Sequence, residues 1–190
     1  YSIQLGDFGF NKHWWMLEDS NLDSDNHKIL GGNHDDMGVA VKSKYWLGDF
    51  GNLKLDNKNI FFVRGGISID RTYRVAEWAT TGRKTWWSSE ELTFDQMYEA
   101  YDLYCGYKPS ILISHAAPVS IKSHFDLRPN YLDNFGFETG FEENTSLLLE
   151  KCWKKHKPNL FICGHYHVHF DGMIHGTRCI CLPELGYIDL

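Results

Sequence analysis

Four short apolar runs in this 190-residue chain each end in side chains that carry oxygen or nitrogen lone pairs, a pattern that narrows the possible folds more than any other feature. Ser2-Ile3-Gln4-Leu5-Gly6 leads into Asp7, and Lys28-Ile29-Leu30 leads through Gly31-Gly32 into Asn33-His34-Asp35. Ile111-Leu112-Ile113-Ser114 leads into His115, and Leu160-Phe161-Ile162-Cys163-Gly164 into His165-Tyr166-His167. Runs of this length and composition are those of buried strands in a sheet covered on both faces. Open α/β sheets gather ligands beyond the carboxyl ends of such strands, so four donor clusters in that position imply one shared metal site.

The two later runs share an architecture. Tyr107-Lys108-Pro109 precedes one and His156-Lys157-Pro158 the other, each behind a segment of helical period. Proline ends the helix, and the next strand carries its histidine outward. The chain is 43% hydrophobic and has no Pro/Gly/Ser-rich linker, which implies one core and a single domain over residues 1–190. A net charge of −6 without a Lys/Arg block argues against extended nucleic-acid binding, although a compact metal site can still act on a nucleotide. No apolar run approaches the roughly 18 residues of a membrane helix, and no signal peptide is visible, so no membrane contact is expected. The five cysteines are odd in number and lack paired C-x2-C spacing, which fits a reducing, cytoplasmic location. Because the chain starts at Tyr1 inside an apolar run, the strand-helix unit that a parallel sheet places ahead of residues 2–5 is missing, and the sequence reads as N-terminally truncated.

Other elements follow from period and punctuation. A short helix is expected within residues 11–26, and loosely alternating strands across 39–63, the last at 59–63. Thr93 and Gln96 form a capping box, with Leu92 stapled onto Met97, for a helix ending near Leu103 or Tyr104. A second helix over 144–155 puts Leu148, Leu149, Cys152 and Trp153 on one face. Residues 116–140 read as loop, Asp171-Gly172 as a turn, and 177–182 as a returning strand with Cys179 and Cys181 in the core.

The donor residues have a definite chemistry. Asp7 offers two oxygens that can bridge two cations, Asn33 a neutral oxygen, and His115, His165 and His167 imidazole nitrogens suited to Zn, Mn, Fe or Ni. With one carboxylate among these groups, two divalent ions would leave a positive site that draws in a phosphate. If residues 165–169 are extended, His165, His167 and His169 point to one side. His34 sits where it can protonate a leaving alkoxide, with Asp35 holding its tautomer. Arg64, in Arg64-Gly65-Gly66 after a strand, can reach a phosphate oxygen. His169 and His175 read as surface or supporting residues. His13, His27, His124 and His156 read as ordinary ones.

Gly6-Asp7, Gly32-Asn33-His34-Asp35, the His115 that follows a strand, and Gly164-His165-Tyr166-His167 resemble, in order and spacing, the blocks of the calcineurin-like metallophosphoesterases. The resemblance implies a four-layer α/β/β/α sandwich with a dinuclear metal centre between its sheets. By it, Asp7 bridges both ions, Asn33, His115 and His165 complete one shell, and His167 joins the other. His34 becomes the phosphate-contacting acid, supported by Asp35. The family's Asp-x-His block, on the strand before Gly-Asp, has no counterpart here, so the second site keeps only Asp7 and His167. The sequence differs from the protein Ser/Thr phosphatases after Gly-Asp and Gly-Asn-His, and looks more like the short stand-alone phosphoesterases of bacteria and phages. The expected activity is hydrolysis of a small phosphorylated substrate, a monoester, diester or nucleotide. A non-catalytic metal-binding scaffold and a nuclease are the competing readings, and oligomeric state is left open.

Overall fold

The computed structural model describes residues 1–12, 14–127, 132, 135–138 and 140–190. Strands β1 (Ser2–Leu5) and β2 (His27–Leu30) pair in parallel as one small sheet, joined at its edge by a parallel bridge from Ile29 to Trp46. The second sheet is built from β3 (Phe50–Leu55), β4 (Lys58–Val63), β5 (Ile111–Ser114), β6 (Leu160–Cys163), β7 (Phe170–Ile174) and β8 (Thr177–Cys181). Its order is β3-β4-β5-β6-β8-β7, with the inner strands parallel and the hairpin partners β3 and β7 antiparallel at the edges. The helices are α1 (Trp14–Glu18), α2 (Met37–Ala40), α3 (Arg71–Thr81), α4 (Phe94–Tyr107), α5 (Val119–Lys122) and α6 (Asn144–Lys155). Among the described residues, no helix is long and apolar enough to cross a membrane.

Strand period sorts the core into the layers. In register across the large sheet, Phe61, Leu112, Phe161 and Cys179 face one side, where Ala100 and Tyr104 of α4 and Leu148, Leu149, Cys152 and Trp153 of α6 cover them. Ile60, Phe62, Ile111, Ile113, Ile162 and Ile180 face the other side and meet Leu30, Ile3 and Leu5 of the small sheet. The small sheet's outer face packs Ile29 with Phe10, Met37, Ala40 and Tyr45. Three apolar interfaces thus separate four layers, helices outside and sheets within, and each fully buried large side chain contributes about 1.5–3 kcal/mol.

Capping and breaking run as the residues dictate. Thr93 and Gln96 make the capping box, and α4 continues to Tyr107, one turn beyond the expected end, before Lys108 takes a left-handed conformation and Pro109 stops it. The helix over Asn144–Lys155 has the expected bounds, and Lys157-Pro158 follows it. The Tyr104 hydroxyl donates to the His156 carbonyl at 2.7 Å and ties the ends of the two helices together.

Several expectations are corrected. β1 is only half covered, not buried on both faces. Residues 37–40, within reach of the expected strand region, form α2, because the Asp36 side chain accepts from the Gly38 N–H and caps it. The stretch 116–140 contains α5. Asp171-Gly172 lies inside β7, and the hairpin instead turns at His175-Gly176, where both residues have positive φ (49° and 89°). α3 was not anticipated, and none of its side chains is buried, so no core-facing stripe announces it.

Candidate metal centre

Asp7, Asn33, His115 and His165 follow β1, β2, β5 and β6, so the two sheets deliver them to a common end of the sandwich. His115 is the hub. Its Nδ1 lies 2.6 Å from the Leu5 carbonyl, an acceptor only, so Nδ1 carries the proton and Nε2 presents its lone pair. That Nε2 faces two further acceptors, Asn33 Oδ1 at 2.9 Å and Asp7 Oδ1 at 3.5 Å. Asn33 is held in this orientation because its Nδ2 donates to Ser68 Oγ at 3.1 Å. Three lone-pair atoms turned toward one another need a cation or an extra proton between them. Ligands of one ion at about 2.1 Å, bound at right to tetrahedral angles, stand about 3.0–3.4 Å apart, a range that these two separations bracket. The His165 ring stands beside His115, centroids 4.8 Å apart.

Glycines let these groups come so close. A Cβ on Gly6 would fall 2.3 Å from His115 Nδ1, and one on Gly32 2.2 Å from Asp7 Oδ1. Gly66 runs beneath both imidazoles, with its would-be Cβ 3.3 Å from His115 Cδ2 and from His165 Cε1. Asp7, His165 and His167 themselves have positive φ (55°, 70° and 55°). Such conformations cost non-glycine residues about 1–3 kcal/mol and persist where their surroundings over-determine them. The expected extended run 165–169 is therefore corrected: the chain turns at each of His165 and His167, aiming Tyr166 into the core and leaving His167 and His169 exposed. The His167 side chain is 63% exposed, with Nδ1 3.9 Å from Glu184.

Asp35 does something other than orient His34. Its Oδ1 accepts the Gly9 and Phe10 amides at 2.8 and 3.1 Å, and its Oδ2 the Gly32 and Phe8 amides at 3.0 and 3.3 Å. It clamps the loop after β1 to the loop after β2, and so holds Asp7 beside Asn33. Arg64 is also corrected. Its buried guanidinium pairs with Asp49 and donates to the Ser89 and Glu90 carbonyls, as part of the packing behind the site. Of its tripeptide, Gly66 is the residue that lies against His115 and His165.

Glu143 was missed. It stands at the N-cap of α6, caps nothing with its side chain, and is a residue type not favoured at that position. Instead it accepts from the Ile67 amide (2.9 Å), Ser146 hydroxyl (2.8 Å) and Tyr166 hydroxyl (3.0 Å), and lies 3.8 Å from His165 Nε2. The Tyr166 oxygen in turn accepts from the Ala117 amide at 3.0 Å.

Electrostatics leave the donors ready for a cation. Burial would raise the Asp7 carboxyl, but His115, His34 and the His34 amide outweigh it and hold it below the usual range. Burial would likewise raise Glu143, and His165 and Lys122 reverse the sign. Burial, with His115 alongside, pushes His165 down to about 4, so its ring is neutral near pH 7. Burial also lowers His34, against the pull of Asp7, and its Nδ1 is buried without a partner. His34 itself lines the cleft, and its amide donates to Asp7 Oδ1 at 3.0 Å. Among the described residues no group of three or more His, Cys, Asp and Glu side chains is arranged to hold a metal ion, and the close set here is one carboxylate, one amide and one imidazole.

The profile of the calcineurin-like phosphoesterases matches residues 5–169, which takes in every one of these donors. The chain belongs to that family. The general chemistry of calcineurin-like phosphoesterases is metal-dependent hydrolysis of phosphate esters, and the mixed α/β architecture is consistent with their fold. Among solved structures, the chain is similar to GAP50, the anchor in the inner membrane complex of Plasmodium, at 14% identity and a TM-score of 0.41. That match covers 94% of this chain and 56% of the Plasmodium protein, so the chain spans little more than half of that relative's length. No curated protein matches it.

Proposed function

We propose that this calcineurin-like phosphoesterase hydrolyses small phosphate esters, with Asp7, Asn33, His115 and His165 holding a divalent cation. The observation that carries the reading is the approach of His115 Nε2 to Asn33 Oδ1 at 2.9 Å and to Asp7 Oδ1 at 3.5 Å. A bound divalent cation supplies Lewis acidity at the phosphoryl oxygens and lowers the pKa of a bound water. A second cation would draw on the free oxygen of Asp7 and on His167.

The protein's own groups handle position and protons. Asn33 and the two imidazoles fix where the phosphoryl group sits, and the Leu5 carbonyl locks the His115 tautomer. His34 faces the cleft as a neutral ring. An incoming phosphate dianion raises its proton affinity, so it binds a proton as substrate arrives and passes it to the leaving oxygen. Asp35 acts on this step only through the loop it clamps.

His34→Ala tests the assignment. Hydrolysis of phenyl phosphate, whose basic leaving oxygen needs a proton, should lose about 10²–10⁴ in kcat with Mn²⁺ while bound manganese stays at the wild-type level. Loss of the metal would make His34 a ligand and refute its role as acid.

A further inference from the structure

The cleft in front of the donors has a volume of about 670 Å³ and two unlike kinds of lining. Asp7, Asn33, His34 and His165 supply the first. Leu127, Leu132, Phe135, Phe141 and Val168 supply the second, an apolar wall. We infer that the site takes monoesters whose leaving group is a neutral apolar or aromatic alcohol, an inference that rests on the phosphoesterase reading above.

The wall is built into the fold. Phe141 stacks on Phe137 with centroids 4.7 Å apart, and the Arg71 guanidinium at the start of α3 lies over the Phe137 ring at 5.1 Å. Leu127 and Val168 lean on the main core. Phe135 is 44% exposed, so apolar surface faces water where a ligand could cover it.

Charge points the same way. Asp126 lines the cleft with Asp70, which pairs with Arg74, and with the buried Glu143, whereas among the described residues its one Lys or Arg is Lys122, paired with Glu142. A leaving group bearing more phosphates would bring its charge against those carboxylates, whereas an apolar body gains by leaving water. The cavity has room for a phosphate and a ring-sized group.

Two non-hydrolysable dianions of the same charge, methylphosphonate and benzylphosphonate, isolate the apolar term. Calorimetric titration of the Mn²⁺-loaded protein, and competition against p-nitrophenyl phosphate, should show the benzyl compound binding at least about tenfold more tightly. Phe135→Ser, at a position 44% exposed, should reduce that ratio to about threefold or less with the melting temperature unchanged. Equal binding of the two phosphonates to a protein that hydrolyses p-nitrophenyl phosphate would overturn the inference alone, as would an unchanged ratio in Phe135→Ser. The dinucleotide pTpT binding more tightly than benzylphosphonate would overturn it in favour of a nucleic-acid substrate. A protein that neither binds Mn²⁺ nor hydrolyses p-nitrophenyl phosphate would refute the underlying phosphoesterase reading instead.

Discussion

Asp35→Asn separates two roles for one buried carboxylate. If Asp35 worked through His34, the substitution would slow turnover and leave folding alone. The geometry gives it four backbone amides at 2.8–3.3 Å, two on each oxygen. Asparagine keeps one carbonyl oxygen, and whichever way the amide turns, its NH₂ group confronts two N–H donors, either those of Gly9 and Phe10 or those of Phe8 and Gly32. Hydrogen bonds to a charged group contribute about 1.5–3 kcal/mol each, so losing two costs about 3–6 kcal/mol. That is a large part of the roughly 5–15 kcal/mol that holds a domain together. With a urea dependence of about 1–3 kcal/mol per molar, the midpoint should fall on the order of 2 M. Tryptophan fluorescence in urea with EDTA reads this directly, free of any contribution from metal. A midpoint within about 0.3 M of wild type, together with slowed turnover, would refute the clamp and restore the pairing with His34.

Gly66→Ala places a methyl group 3.3 Å from both imidazoles, and manganese affinity by calorimetry should weaken about 10–100-fold with little change in metal-free melting; unchanged affinity would refute the cradle. Tyr166→Phe removes the hydroxyl between Glu143 and the Ala117 amide, strands that amide and takes one of three hydrogen bonds from Glu143, so chemical denaturation should show a loss of about 2–3 kcal/mol, and a loss below about 0.5 kcal/mol would count against the network. The metal-free protein should lose stability in acid. His165 titrates at about 4 when folded and near 6.5 when unfolded, so between those values the unfolded chain holds the extra proton, and stability present above about pH 6.5 drains away toward pH 4. The difference amounts to on the order of 3 kcal/mol, extended to lower pH by Asp7 and Glu143 and partly offset by Glu90 and Glu91, whose carboxyls burial raises. Equal urea midpoints at pH 7 and 4.5 would contradict it.

Much of the fold could be read because the core strands obey one period. Over Ile60–Val63, Ile111–Ile113 and Leu160–Cys163 successive residues alternate between two apolar clusters, and the same residue types occur wherever a sheet is covered twice. α4 and α6 could be read because a capping box or a buried stripe marks them. α3 could not, since Tyr73, Val75 and Trp78 are exposed and its local sequence promises no burial. The β7–β8 turn was misplaced for a related reason. Asp-Gly is the stronger turn signal in isolation, but pairing Gly172 with Cys179 keeps the strand going and moves the reversal to His175-Gly176.

At the site, what could be read was the donors, and what could not was the frame that spaces them. A histidine after a strand announces itself by type and place; the accuracy of its position comes from groups with no chemistry of their own, such as Gly6, Gly32 and Gly66, where even one carbon would collide. Nor does sequence reveal which carboxylate serves which purpose. Asp35, adjacent to His34, looked like its partner, and the backbone amides of a loop 25–27 residues away took both its oxygens. Glu143, distant from every donor in sequence, came to rest 3.8 Å from His165. Three left-handed residues, Asp7, His165 and His167, are affordable only if such contacts hold them, which makes the amide clamp of Asp35 and the Glu143–Tyr166 network part of the site's construction. Cutting either network should therefore weaken metal binding without touching a single donor, and cutting a donor should leave both networks folded.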